Sequence, residues 1–149
     1  MSEVSSLSKE KVRIKTVHGD IVYRFYPQAA PNTVKRISEL IKQGYYDGLI
    51  FHRVVPGFVA QGGDPTGTGT GGSGKKLKAE FSQLKHVKGT VAMARAQDPD
   101  SADSQFYICL GSAPHLNGSY TVFGQVEEGI ELLNRISQGD KMVSVSIED

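Results

Sequence analysis

Short runs in which apolar and polar residues alternate recur along this chain of 149 residues. A period of two is typical of β-strands that bury one face. Only two segments show helical periodicity, and the strand-like runs do not alternate with helices as they would in a parallel α/β sheet. The pattern therefore predicts a mainly β fold, most simply an antiparallel barrel. The strand-like runs are residues 11–16, 21–26, 89–94, 105–110, 120–126 and 142–147, and two more flank Pro56-Gly57.

Two amphipathic segments predict peripheral helices. The first begins at Pro31, because a missing N–H costs nothing in the first turn of a helix, and it ends at Gly44. The second spans residues 129–137. The apolar stripes consist of Val34, Ile37, Leu40 and Ile41 in the first segment, and of Ile130, Leu133 and Ile136 in the second.

Charge and hydropathy limit the classes of partner. With a net charge of +1, the chain has no electrostatic reason to bind nucleic acid or an anionic membrane. No apolar run approaches the roughly 20 residues of a membrane span, and the polar N-terminus contains no signal-peptide core. We therefore expect a cytoplasmic protein with a flexible N-terminal segment (residues 1–10) and one domain (residues 11–149).

Features that would indicate a cofactor or covalent catalysis are weak. The single cysteine, Cys109, lies in a strand-like run and is interpreted as buried filler rather than a nucleophile. The four histidines lack the spacing of metal ligands. The glycine loop, residues 66–74, partly matches two nucleotide-binding signatures. However, no helix follows it, and Lys76 stands where the second signature needs serine or threonine. We expect a flexible surface loop, no metal and no cofactor.

The stretch from residue 49 to residue 64 contains an arginine, Arg53, in otherwise largely apolar surroundings. Alternation places Arg53 on one strand face with Phe51 and Val55. Burying an unpaired guanidinium would cost several kcal/mol, so Arg53 must reach water or a bound partner. Two interpretations stay open on this pattern: a surface arginine on an edge strand, or an arginine at the rim of an apolar cleft.

Two glutamines share a strand face with an apolar or aromatic neighbour. Gln61 lies on the same face as Val59. Gln105 lies on the same face as Tyr107. An amide beside such a group is suited to gripping a peptide backbone next to an apolar side chain. The alternative is a pair of solvent-facing strand residues, and the pattern alone does not decide between them.

Four motifs stand in order along the chain: Phe51-His52-Arg53-Val54-Val55-Pro56-Gly57-Phe58, Gln61-Gly62-Gly63-Asp64-Pro65, Ser104-Gln105-Phe106 and Val122-Phe123-Gly124. Together they resemble the cyclophilin-type peptidyl-prolyl isomerases, and the resemblance runs over residues 12–147. It implies a closed eight-stranded antiparallel β-barrel capped by two α-helices, with a substrate cleft on the outer face. It also implies a monomeric enzyme that isomerises X–Pro bonds in peptides and in unfolded or folded client proteins. The alternative is a proline-peptide binding or chaperone module with negligible turnover.

The resemblance also implies roles by position. Arg53 is expected to be catalytic, together with His52, Gln61 and Gln105. The expected substrate-binding residues are Phe58, Val59, Ala94, Arg95, Ala96, Phe106, Tyr107, His115, Leu116 and Tyr120, with Gly69, Gly71 and Gly72 beside them.

Five positions depart from the best-known members of that family, among them Tyr120 for a frequent histidine and Arg95 for a frequent asparagine. His115 stands where many have tryptophan, which implies reduced affinity for cyclosporin. Val59 replaces a methionine and enlarges the pocket slightly. Tyr107 replaces a phenylalanine and adds a hydroxyl that needs a hydrogen-bond partner.

Overall fold

A computed structural model describes residues 6–148. The strands are β1 (Lys11–Thr16), β2 (Gly19–Phe25), β3 (Arg53–Val55), β4 (Val59–Gly62), β5 (Thr90–Met93), β6 (Phe106–Cys109), β7 (Val122–Glu128) and β8 (Ser144–Glu148). They form one sheet in the order β3-β4-β6-β5-β7-β2-β1-β8. Every neighbouring pair is antiparallel. The predicted mainly β class is confirmed.

The sheet is strongly curled but open, so the prediction of a closed barrel is not confirmed. No ladder joins the edge strands β3 and β8 in the part of the chain that the structure describes. β3 is only three residues long, which limits the edge available for pairing. Instead, residues 48–51 and 139–142 meet near this opening through four backbone hydrogen bonds of 2.8–2.9 Å.

The first predicted helix is confirmed as α1 (Pro31–Lys42), with its proline in the first turn. It ends two residues before Gly44, whose positive φ of 75° turns the chain away. No side chain of the adjacent residues caps its N-terminus. The Glu80 carboxylate, from a distant segment, accepts hydrogen bonds from the N–H groups of Asn32 and Thr33 instead. Helix α1 is therefore fixed to the loop that contains Glu80.

The second predicted helix is present, but it is a 3-10 helix (Ile130–Arg135) rather than an α-helix. Gly129 precedes it in the left-handed conformation, and the Leu132 N–H donates to the Gly129 carbonyl, three residues back. Six residues is long for a 3-10 segment, because its poorer hydrogen-bond geometry usually limits such runs to about three or four residues. The expectation of two capping α-helices is wrong in this respect.

Apolar side chains pack on both faces of the sheet. The inner core contains Phe25, Phe51 and Phe123, each almost fully buried. A second cluster lies on the outer face. Strand β6 contributes to both, since Phe106 and Ile108 face inward while Tyr107 and Cys109 face outward. The outer cluster comprises Val59, Ala92, Tyr107, Cys109 and Val122, with Phe58, Leu116 and Tyr120 packed against it.

The N-terminal residues lie against the sheet where they are described. The predicted flexible segment covers residues 1–10, of which residues 1–5 lie outside the described part of the chain. The Ser8 N–H donates to the Phe25 carbonyl at 2.9 Å, and the Ser8 hydroxyl accepts a bond from the Phe25 N–H at 3.1 Å. Within residues 6–148, none of the helices combines the length and the apolar character needed to traverse a bilayer.

Candidate active site

Two adjoining pockets occupy the outer face. The small pocket has a volume of about 250 Å³ and the large pocket about 410 Å³. They share Gln61, Ala94 and Arg95. Most of the predicted site residues are therefore brought together in one cleft. The small pocket is lined also by Arg53, Phe58, Val59, Tyr107, Leu116 and Tyr120, and the large pocket also by Gly69, Thr70, Gly71, Gly72, Lys76, Ala96, Ser101, Asp103 and Gln105.

The sheet register aligns the polar residues of the small pocket. Arg53 on β3 is the cross-strand partner of Gln61 on β4. Gln61 is in turn the partner of Tyr107 on β6. Because cross-strand partners project from the same face, these three side chains form a row at the cleft. Gln61 and Gln105 both line the cleft.

The predicted face of Arg53 needs one correction. Arg53 is exposed, whereas Phe51, expected on the same face, is fully buried in the inner core. The reason is that β3 begins only at Arg53, so the alternation does not extend back to Phe51. The Arg53 guanidinium makes no hydrogen bond or ion pair with any of residues 6–148. It is an unpartnered cation at the rim of an apolar pocket.

Phe106 does not reach the cleft. Its ring packs edge-on against Tyr46 in the inner core, with centroids 5.6 Å apart. Strand alternation explains this placement, since its neighbours Gln105 and Tyr107 both face outward. The expectation that Phe106 contacts substrate is therefore not supported by its position.

Aromatic rings form two walls of the small pocket. Tyr107 and Tyr120 meet edge to face at 5.8 Å. Phe58 forms the other wall, and the exposed His115 ring stacks on it at 5.5 Å without lining the pocket. The predicted His115 position is thus at the rim of the pocket rather than in its floor. The two walls leave an apolar space between them, with polar groups at its edge.

The side chain of Arg95, a residue that lines both pockets, is held by backbone carbonyls. Its guanidinium donates to the carbonyls of Ser119, Ala96 and Gln97 at 2.7–3.2 Å. It also lies 4.5 Å from the ring centre of Tyr120, a cation–π contact. Arg95 therefore braces the Tyr120 wall, and Arg53 is the arginine left free for a ligand.

The Tyr107 hydroxyl has a partner that the sequence did not reveal. It lies 2.8 Å from Nε2 of His86, a histidine only 1% exposed. Nδ1 of His86 lies 3.1 Å from the Asn117 side-chain oxygen, which can only accept. Nδ1 therefore carries the proton, and Nε2 accepts from the Tyr107 hydroxyl. Burial lowers the pKa of His86 and raises that of Tyr107, so both stay neutral.

The two glutamines bond directly to each other. Nε2 of Gln61 donates to Oε1 of Gln105 at 3.0 Å. Nε2 of Gln105 donates to the carbonyls of Gly69 and Gly71, each at 3.0 Å. A continuous chain of hydrogen bonds thus runs from the glycine loop to the residue beside Arg53.

The glycine loop was predicted to be flexible, but two carboxylates hold it. Asp64 accepts bonds from the N–H groups of Thr66, Thr68 and Gly69. Asp103 accepts from the N–H of Ser73 at 2.7 Å. Sequence reasoning did not single out either carboxylate. An Asp followed by proline favours a turn, and this signal could have drawn attention to Asp64.

His52 lies behind the glycine loop and is not part of either pocket lining. A Cβ atom at Gly69 would lie 3.6 Å from its Nε2. Its Nδ1 is buried and has no hydrogen-bond partner among residues 6–148. Burial, with a smaller contribution from the Arg53 charge, lowers the pKa of His52. The position is that of a neutral support beneath the loop.

Comparison with known proteins identifies the class. The family described as cyclophilin type peptidyl-prolyl cis-trans isomerase/CLD matches residues 11–148. Peptidyl-prolyl cis-trans isomerase B of Bacillus subtilis is 48% identical over 130 residues, covering 86% of this chain and 90% of that protein. A peptidyl-prolyl cis-trans isomerase of Synechococcus elongatus is 45% identical over 136 residues, covering 90% and 93%.

A solved structure agrees with these relatives. A cyclophilin type peptidyl-prolyl cis-trans isomerase of Cryptosporidium parvum, determined in the presence of the dipeptide Ala-Pro, has a TM-score of 0.87 and 35% identity. The match covers 93% of this chain and 99% of that one. The chain therefore belongs to the cyclophilin-type peptidyl-prolyl cis-trans isomerase family and is an isomerase.

Proposed function

We propose that the isomerase acts on X–Pro bonds of peptides and client proteins in the outer-face cleft, and that Arg53 supplies its electrostatic catalysis. The observation that carries the proposal is the free Arg53 guanidinium beside an apolar pocket and a row of ordered amides. A cyclophilin of Cryptosporidium parvum studied with Ala-Pro supports a proline-containing ligand.

Isomerisation of an X–Pro bond requires no covalent step by the protein. Rotation about a peptide bond breaks amide resonance, against a barrier of about 20 kcal/mol. As the bond twists, the proline nitrogen loses conjugation and gains a lone pair that can accept a hydrogen bond. No bond between heavy atoms is made or broken. The enzyme therefore needs only to bind the twisted amide more tightly than either planar form.

Arg53 is suited to that differential binding. Its guanidinium is permanently charged and offers several donors in one plane, so it can reach both the twisted nitrogen and a nearby carbonyl oxygen. Since the guanidinium is not engaged by any of residues 6–148, it need not break a bond within that region to do so. The interaction grows as the lone pair forms, which lowers the barrier.

The small pocket supplies the fixed point for rotation. Phe58, Tyr107 and Leu116 offer an apolar surface for the proline ring. The amides of Gln61 and Gln105 lie along the neighbouring stretch of the cleft, where a peptide backbone would run. With the ring held on one side, rotation is confined to the other side of the bond.

Arg53→Ala tests the assignment. We expect kcat/KM for a Pro-containing peptide to fall about a hundredfold or more, because the stabilising donor is lost. Arg53→Lys should also be poor, since a point charge does not reproduce the planar guanidinium. Arg135→Ala, which removes an exposed arginine of the 3-10 helix outside both pockets, is the matched control and should behave as wild type.

Exchange NMR on the same peptide separates an isomerase from a binding module. Wild-type protein should produce cis–trans exchange peaks, whereas a module that only binds would shift the resonances without exchange. Near-wild-type exchange with Arg53→Ala would overturn the role given to Arg53.

We further propose that the protein works in the cytoplasm. We also propose that it is a monomer, because residues of one chain line both described pockets. Light scattering after size exclusion tests the monomer. The bonds between residues 48–51 and 139–142 are proposed to complete the barrel.

Cyclosporin is expected to bind with reduced affinity, since His115 offers a smaller apolar face than an indole.

A further inference from the structure

A buried carboxylate outside the predicted site organises the glycine loop. Asp64 follows β4 and is only 1% exposed. Its two oxygens accept from the Thr66 N–H and hydroxyl at 2.8 Å each, from the Thr68 N–H at 3.2 Å and from the Gly69 N–H at 2.6 Å. It forms no ion pair with residues 6–148. The loop itself therefore solvates this charge, and the two can be ordered only together.

The glycines of the loop fit that carboxylate closely. A Cβ atom on Gly71 would collide with Oδ1 of Asp64 and lie 2.9 Å from the Thr66 side chain. Gly69 has a positive φ of 94°, which disfavours other residues. The hydrogen bonds of the loop hold the pKa of Asp64 below its ordinary value, although burial alone would raise it. Asp64 is thus charged wherever the protein is folded at ordinary pH.

The ordered loop sets the direction of the Gln105 amide. The carbonyls of Gly69 and Gly71 both approach one end of this side chain. Carbonyl oxygens only accept, so the end that faces them must be the NH₂ group. The oxygen of Gln105 must then face the other way, toward Gln61.

The same reasoning fixes the next amide. Gln61 meets the oxygen of Gln105, so it must present its own NH₂ group there. Its oxygen is left as the accepting end of the chain. Gln61 lines both pockets and is the cross-strand partner of Arg53. An accepting end there matches a guanidinium N–H or a peptide N–H, and it is mismatched to a peptide carbonyl.

We propose that Asp64 is a positioning residue for the isomerase: by folding the glycine loop, it fixes which way the Gln105 and Gln61 amides point in the cleft. The inference rests on the cleft assignment made under the proposed function. Its test has a spectroscopic readout that does not depend on activity, so the two can fail separately.

Asp64→Asn is the primary variant, because it keeps the shape and removes the charge. We expect the side-chain NH₂ resonances of Gln105 and Gln61 to move toward those of a free glutamine. Gln125 is an internal control, since its Nε2 also donates to two carbonyls, of Lys88 and Val126. Its resonances should not move. We expect kcat/KM to fall about tenfold, as for a misaligned group.

A milder variant and a matched control complete the test. Thr66→Val removes only the hydroxyl that donates to Asp64, and it should give a smaller effect in the same direction. Asp140→Asn alters another carboxylate that accepts a backbone N–H, that of Ser137, but it lies outside both pockets. It should leave the glutamine resonances and the activity unchanged.

The outcomes are distinct. Unmoved Gln105 and Gln61 resonances in folded Asp64→Asn and Thr66→Val proteins would overturn the inference, whatever the activity. Moved resonances with unchanged kcat/KM would overturn the role in catalysis. If Asp64→Asn does not fold, the Thr66→Val result decides alone.

Discussion

At the scale of single residues, the wall of the small pocket depends on a polar contact behind it. The Tyr107 ring faces the pocket while its hydroxyl donates to His86. Tyr107→Phe keeps the ring but leaves Nε2 of His86 buried without a partner. We expect the free energy of unfolding to fall by about 1–3 kcal/mol, with kcat/KM for a Pro-containing peptide changed by less than about threefold.

Urea unfolding and the peptide assay measure the two quantities. Replacing both partners, Tyr107→Phe with His86→Leu, should lower the free energy of unfolding by less than the sum of the single changes. The reason is that the double variant leaves neither the hydroxyl nor Nε2 buried without its partner. Unfolding free energies that simply add would show that the contact contributes nothing to stability.

His115 permits a second prediction at this scale. It stacks on Phe58 at the exposed rim, so His115→Trp would enlarge the apolar surface there. About 50 Å² of additional buried area corresponds to roughly 1.3 kcal/mol, or about a tenfold lower inhibition constant for cyclosporin. Turnover should stay near wild type, since His115 does not line the small pocket. An unchanged inhibition constant in a coupled peptide assay would contradict the role given to this position.

Residue-level prediction from the sequence succeeded where strand alternation applies. It grouped Gln105 with Tyr107 and Gln61 with Val59, and those pairs lie in the cleft. It failed for His86 because that residue reaches Tyr107 from a loop 21 positions away. No local pattern encodes such a contact.

At the scale of elements, helix α1 depends on a cap borrowed from elsewhere in the chain. Glu80 bonds to the Asn32 and Thr33 N–H groups and to the Thr33 hydroxyl, at 2.8–3.2 Å. A carboxylate also interacts favourably with the positive end of the helix dipole. Glu80→Ala should therefore lower the free energy of unfolding by about 1–2 kcal/mol.

Chemical denaturation measures this loss. Glu131→Ala is the matched control, because it removes an exposed carboxylate from the short 3-10 helix, and it should change stability little. Equal stability of the Glu80→Ala variant and wild type would show that water replaces the cap without cost.

The prediction of helices and strands was limited because apolar periodicity does not show the backbone hydrogen-bond pattern or where an element begins. Pro31 and the apolar stripe correctly located α1. The spacing of Ile130 and Leu133 fits both a 3-10 and an α-helix, since three residues separate them. The hydrogen bond from the Leu132 N–H to the Gly129 carbonyl, three residues back, decides for 3-10. Likewise, alternation could not show that β3 begins at Arg53, where the chain leaves the inner core.

At the scale of the whole molecule, the alternating pattern predicted the mainly β class and the family resemblance implied eight strands, but neither showed how the sheet ends. Closure depends on whether the edges of β3 and β8 pair over enough length. Closure therefore depends on where the strands end and on residues 48–51 and 139–142, two segments that are far apart in the sequence but bonded in the fold.

Stability as a function of pH is a property of the whole fold. His52 and His86 have pKa values lowered chiefly by burial. A lowered folded-state pKa means that the unfolded chain binds protons first. The histidine contribution is therefore complete above about pH 6.5, the pKa of an unfolded histidine, and is lost as the pH falls through the folded values.

Two carboxylates act in the same direction at lower pH. Burial would raise the pKa of Asp64, but loop hydrogen bonds lower it; hydrogen bonds from Arg13 lower that of Glu148. Their contributions are complete above about pH 4 and are lost as the pH falls below it. Acidification should thus lower Tm in two successive windows.

Calorimetry between about pH 8 and pH 3 tests this, and a substitution assigns the upper window. His86→Gln removes one of the two titrating groups and should flatten the fall of Tm between about pH 7 and pH 5, while leaving the lower window intact. A Tm that stays constant down to about pH 5 in wild type would show that neither buried histidine resists protonation, and that the contact behind the Tyr107 wall survives a charged imidazole.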